Sequence, residues 1–136
     1  IHDIIKLDIP FVDRMGMVLD EYIELFTKEP YLPKFICGEI QRDVNHLLEA
    51  AKELQFEAAL SLVKDTLLAE MEAGKIKKVP LPMVFLTFYS LLTYPFLVRN
   101  LITTLFLDNE EDFTSFLQEW KQHIITELTN LLSNDK

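Results

Sequence analysis

Apolar side chains recur along this chain at three- and four-residue spacing, the period of one face of an α-helix. Phe11, Met15, Val18, Tyr22, Leu25 and Phe26 form the first stripe. Asp8-Ile9-Pro10 in front of it reads as a helix start, because proline's missing N–H costs nothing in a first turn. Pro30 and Pro33 stop that helix, since each disfavours helical backbone in the residue before it. A second stripe starts near Leu32 and runs through Phe35, Ile36, Ile40, Val44 and Leu47 or Leu48. Gly38 weakens it by about 1 kcal/mol relative to alanine, unless close packing on a neighbour is its purpose. A third comprises Phe56, Ala59, Leu60, Val63, Leu67 and Met71, with Gly74 placed as the left-handed cap.

Pro82 opens a nearly uncharged helix, and Pro95 must kink or restart it by breaking a backbone hydrogen bond. The pattern resumes through Leu101, Ile102, Leu105 and Phe106, and Asp108 to Glu111 reads as the next cap. The last helix carries Phe113, Phe116, Leu117, Trp120, Ile124, Ile125, Leu128, Leu131 and Leu132. At ~100° per residue these positions cover about half of its circumference. A helix packed on its own domain needs a stripe only a little wider than ~100°, so the excess predicts a second partner. Ile1 to Leu7 is too short to classify. No strand-type alternation of comparable length competes. The expected fold is all-α, one domain over residues 1–136, a bundle of five to six helices.

Composition agrees with a packed bundle. Apolar residues make up 49% of the 136 and charged residues 26%, a globular rather than a disordered balance. The net charge of −9 argues against nucleic-acid binding, which needs clustered Lys and Arg to neutralise phosphates. The one basic cluster, Lys75, Lys77 and Lys78, follows a helix stop, where cations favour the negative end of the dipole. Cys37 is the sole cysteine, which suits a reducing, cytoplasmic setting and a buried structural thiol. The chain starts at Ile1 without a basic-then-apolar leader and reads as a piece of something longer. The twenty residues from Val79 to Val98 carry no charge, close to the ~20 that span a bilayer. Their three prolines and the amphipathic helices around them favour a central bundle helix over a membrane span.

Catalytic chemistry finds little support. His2, His46 and His123 are widely separated, and none has a nucleophile or carboxylate at a catalytic spacing. Asp43 and His46 lie i, i+3 on a helix, but a metal site needs further ligands. No glycine-rich phosphate loop is present, and no motif calls for a cofactor.

Three punctuation signals occur in one order. Tyr22 to Phe26 is followed by Glu29-Pro30-Tyr31-Leu32-Pro33-Lys34-Phe35-Ile36 and Glu39. Glu72-Ala73-Gly74-Lys75-Ile76-Lys77-Lys78-Val79-Pro80 comes next, then Leu91 to Phe96 with its Tyr94-Pro95-Phe96. In order and punctuation the chain resembles the C-terminal, regulatory half of TetR-family transcriptional regulators. The resemblance implies a helical domain that binds a small molecule and forms a homodimer through its last two long helices. DNA contact, in that family, belongs to an N-terminal helix-turn-helix head, which does not precede Ile1; repression would be a property of an intact parent protein.

Two candidate sites follow. A small, largely apolar effector would meet walls from Tyr22, Phe26, Phe35, Phe56, Leu60, Phe85, Phe88, Tyr89 and Leu92. Polar anchors would come from Glu39, Tyr89 and Thr87. Periodic aromatic positions also simply fill cores. The dimer interface is expected at Phe96, Leu105, Phe116, Trp120, Ile124 and Leu128, since centrally buried aromatics dominate interface energetics. A free-standing helical adaptor or apolar-ligand carrier without DNA-linked function is the alternative reading.

Overall fold

The computed structural model describes residues 2–53 and 56–134. Seven helices stand among them, and no strand. They are α1 (His2–Ile5), α2 (Phe11–Lys28), α3 (Leu32–Glu53), α4 (Phe56–Glu72), α5 (Leu81–Leu97), α6 (Arg99–Phe106) and α7 (Glu110–Leu132). The all-α expectation holds. The count exceeds five to six because Ile1 to Leu7 contains the single-turn α1.

The core lies where α2, α5 and α7 meet, with α3 and α4 paired beside them and α6 resting on α5 and α7. Leu19, Leu92, Phe113, Ile124, Leu128 and Leu132 are fully buried there. Each such side chain stabilises the fold by about 1.5–3 kcal/mol through apolar burial. The α2 stripe turns inward as predicted, except that Leu25 is exposed while Leu19 and Ile23 join the buried face.

The second stripe behaves differently. Among the described residues of α3, Pro33 alone is buried, and Phe35, Ile40, Val44 and Leu48 face outward. The helix is broken at Asp43, whose backbone is extended (φ −160°, ψ 85°). Its carboxylate accepts from the His46 backbone N–H at 3.1 Å and so caps the second half of α3. The Asp43–His46 spacing is thus a capping interaction. Gly38 is exposed with nothing near its missing side chain, so close packing does not account for it.

Gly74 closes α4 as expected, with φ +75°. Its N–H donates to the Met71 carbonyl at 3.1 Å and that of Lys75 to the Glu70 carbonyl at 3.0 Å, the paired bonds of a left-handed stop. Pro95 does not end α5 at once: the helix continues to Leu97, and α6 leaves at a bend of 67°. Among the described residues no single helix is long and apolar enough to cross a membrane. The last cap sits one residue later than expected. Asn109 accepts from the Asp112 N–H at 3.2 Å, and Asp112 accepts from the Asp108 N–H at 3.2 Å. The side chain of Glu111 lies outside the described residues.

The wide stripe of α7 has its second partner inside the same subunit. Phe113, Leu117, Ile124, Leu128 and Leu132 are buried, while α7 touches both α5 and α2. Lys121 reaches Asp20 of α2 at 2.6 Å on one flank. Trp120 reaches the Leu91 carbonyl of α5 at 2.7 Å on the other. The width argument counted one neighbouring helix where the fold supplies two.

Candidate functional site

Tyr22 belongs to the inward stripe of α2, and Tyr89 stands on α5 beside buried Phe88. Packing α2 on α5 brings their hydroxyl oxygens to 3.0 Å, a hydrogen bond in which either can donate. The rings meet edge to face, with centroids 5.7 Å apart. Phe26 and Phe88 flank Tyr22 at 5.9 and 6.1 Å. Phe88 lies edge-on to Tyr89 at 5.0 Å, and Phe85 stacks on Tyr89 at 6.5 Å. Two hydroxyls thus face each other inside an aromatic wall. Burial pushes both phenol pKa values above the ordinary tyrosine value, and for Tyr22 the neighbouring Tyr89 and Glu21 add to the rise. Both hydroxyls are neutral hydrogen-bonding groups at neutral pH.

The predicted ligand residues fall into two groups. Tyr22, Phe26, Phe85, Phe88 and Tyr89 form the cluster, and buried Leu92 lies one turn further along α5. Phe26 continues the aromatic chain to Phe96 at 5.4 Å, and Phe96 to Phe113 at 6.0 Å. Leu60 of α4 and Thr87 of α5 are half-buried. The Phe56 side chain lies outside the described residues. Phe35 and Glu39 of α3 make no ring contact or hydrogen bond with the cluster. Phe35 is exposed, and the Glu39 carboxylate accepts two bonds from Arg42 at 2.9 and 3.0 Å. With Tyr31, Lys34, Gly38 and Arg42 they line a shallow groove of about 440 Å³. A larger groove of about 670 Å³ runs between the α1–α2 turn and the ends of α4 and α7, lined by Lys6, Asp8, Lys75 and Ile76 among others. No predicted ligand residue lines that one.

The predicted interface residues also divide. Phe96, Ile124 and Leu128 are buried in the core of the single chain. Phe116 and Trp120 are half-buried on one flank of α7, their rings stacked at 5.9 Å, and His123 lies 4.7 Å from Trp120. Leu105 is 60% exposed. Along the outer sides of α5 and α6, Met83, Leu86, Tyr94, Leu97, Leu101 and Phe106 are exposed as well, apolar surface the stripe analysis did not nominate. Its signal was available: a helix that is apolar all round buries one face and presents the other.

A further residue had no signal in the sequence. Arg14 of α2 is 6% exposed, donates to the Ile5 carbonyl at 2.8 Å and meets the Glu70 carboxylate at 2.6 Å. Its guanidinium also lies 5.4 Å from the Phe11 ring centre, tying α1, α2 and α4 together. No family model, no curated protein and no solved structure matches the chain.

Proposed function

We propose that this chain is the ligand-sensing and dimerisation domain of a TetR-like transcriptional repressor, taking a small, largely apolar effector and pairing with a second copy. The observation that carries the reading is the uncharged outer face of α5 and α6. Met83, Leu86, Tyr94, Leu97, Leu101, Leu105 and Phe106 are all exposed on it. Exposed apolar patches of this extent mark interaction sites, and a closed two-fold pair hides the same patch on both copies. In a chain of net charge −9, this face also lets two copies meet without opposing like charges.

The part-buried Tyr22–Tyr89 pair supports the sensing half. Effector pockets are mostly apolar with a few fixed polar groups, and this pair is a polar group between the two helices that a ligand would separate. In this reading a ligand entering beside Tyr89 shifts the packing of α2 against α5. The Arg14 contacts at the start of α2 then carry the change to α1 and onward to a DNA-reading head. Such a ligand shifts the equilibrium by its differential affinity for the two packings. The alternative, a free-standing apolar-ligand carrier, shares the ligand but not the dimer.

Sedimentation velocity of the chain and of a Leu97→Glu/Leu101→Glu variant tests the reading. The chain sediments as a dimer and the variant as a folded monomer. A wild-type chain that stays monomeric at high concentration, with unchanged helicity, would leave the carrier reading in its place.

A further inference from the structure

Helix α5 carries an apolar stripe on each of two opposite sides. Val84, Phe88, Leu92, Pro95 and Phe96 are buried on one. On the other, Met83, Leu86, Tyr94 and Leu97 are exposed, and exposed Ser90 stands among them. At ~100° per residue these five outer positions fall within an arc of about 80° with Ser90 at its centre, and the buried five are centred about 180° away.

The outer stripe has the same spacing read from either end. Leu86 and Tyr94 lie four residues either side of Ser90, and Met83 and Leu97 lie seven. At ~1.5 Å per residue that is about 6 and 10 Å from Ser90 along the helix. A two-fold interface is isologous: where residue i meets residue j of the other copy, j meets i. A stripe symmetric about its midpoint meets that condition when two copies lie antiparallel. Large side chains then flank the crossing on both sides, and the small serine sits where the two helix surfaces come closest. At the ~20° crossing common in helix pairs, the flanking residues stay within side-chain reach of their partners. In a parallel pair Tyr94 would oppose its own copy at one end while Ser90 faced Ser90 across a gap. Antiparallel packing also brings the negative end of each helix beside the positive end of the other. No charged residue lies between Val79 and Val98, so no like charges are opposed along the crossing.

We propose that two copies pair through antiparallel α5 helices with the two-fold axis beside Ser90, so that Leu86 packs on Tyr94 of the partner subunit and Met83 on Leu97 of the partner subunit. The proposal rests on the dimerisation reading and specifies which residues of that face meet.

Cysteine cross-linking in a Cys37→Ser background tests the register, with sedimentation velocity and circular dichroism on the same proteins. All the substituted positions of α5 are exposed, so helicity stays unchanged. Under mild oxidation Ser90→Cys links to itself across the axis. Positions 86 and 94 are ~12 Å apart along the helix, beyond the ~7 Å between Cα atoms that a disulfide spans. Leu86→Cys alone and Tyr94→Cys alone therefore link poorly, while an equimolar mixture of the two links at least about ten-fold more. A parallel pair gives the reverse, each single variant linking to itself and the mixture adding nothing. That reversed pattern, or an unlinked Ser90→Cys, in a chain that sediments as a dimer overturns the register while the dimer stands. A wild-type chain that stays monomeric removes the dimerisation reading, and this inference with it.

Discussion

The indole Nε1–H of Trp120 donates to the carbonyl oxygen of Leu91 at 2.7 Å, and that oxygen is the one left without a helical partner because residue 95 is proline. In an uninterrupted helix the N–H of residue 95 would bond the carbonyl of residue 91. Pro95 has none to give. A side chain from α7 supplies the missing donor, so the gap that Pro95 leaves in the hydrogen-bond ladder of α5 and the seating of α7 are one feature. Trp120, half-buried, is an internal strut between α7 and α5.

Replacing Trp120 with Phe keeps the ring but removes the donor, leaving the Leu91 carbonyl unpaired at a cost of about 1–3 kcal/mol. Adding Pro95→Ala restores a backbone N–H for that carbonyl. Urea unfolding followed by circular dichroism should show the Trp120→Phe penalty shrinking by ~1 kcal/mol or more in the Pro95→Ala background. Strict additivity of the two substitutions would disprove the link.

Arg14 and Glu70 form a pair at 2.6 Å with side-chain exposures of 7% and 15%. Removing one partner from such a pair strands a buried charge, so Glu70→Ala costs about 3–5 kcal/mol. Replacing both, as Arg14→Met with Glu70→Leu, recovers most of that stability. Thermal melts of the three proteins check it; a loss under ~1 kcal/mol for Glu70→Ala would place the pair in the class of exposed bridges.

Two glycines respond to alanine with opposite signs. Gly74 sits at φ +75° with nothing near its missing side chain, so Gly74→Ala costs about 1–2 kcal/mol of backbone strain alone. Gly38 lies exposed inside α3 with open space around it, and Gly38→Ala stabilises by up to ~1 kcal/mol. Denaturant midpoints of the two variants should move in opposite directions.

Both cluster phenols have folded pKa values above the ordinary tyrosine value, chiefly through burial. Their unfolded pKa is about 10. Below that pH both states hold the protons and the contribution is complete. Above it the unfolded chain releases protons that the fold retains, so stability declines as pH rises through and beyond ~10. Unfolding measured from pH 8 to 11 should show this fall, and the Tyr22→Phe/Tyr89→Phe protein should show a shallower one. Parallel pH profiles would remove the buried pair from the account.

What was legible in the residues is what nearest neighbours control. The 3.6-residue stripes of α2, α4 and α7, the left-handed stop at Gly74 and the proline-led start of α5 follow from backbone sterics and spacing within a turn or two. The stripe of α3 shows where that reasoning ends: Phe35, Ile40, Val44 and Leu48 have the right period, yet they face outward. Periodicity states that a helix has an apolar face, and says nothing of what the face meets.

Partners distant along the chain were set by packing alone. Tyr22 and Tyr89 are 67 residues apart, Arg14 and Glu70 are 56, and Trp120 lies 29 from the carbonyl it caps. Each of these bonds depends on the angle and depth at which two helices cross, which no run of neighbouring residues encodes. The same crossing turned Phe96, Ile124 and Leu128 inward and left Leu101, Leu105 and Phe106 outside. Local order thus came from the chain's own steric and apolar pattern, while the cluster and the open apolar face exist only because three helices meet as they do.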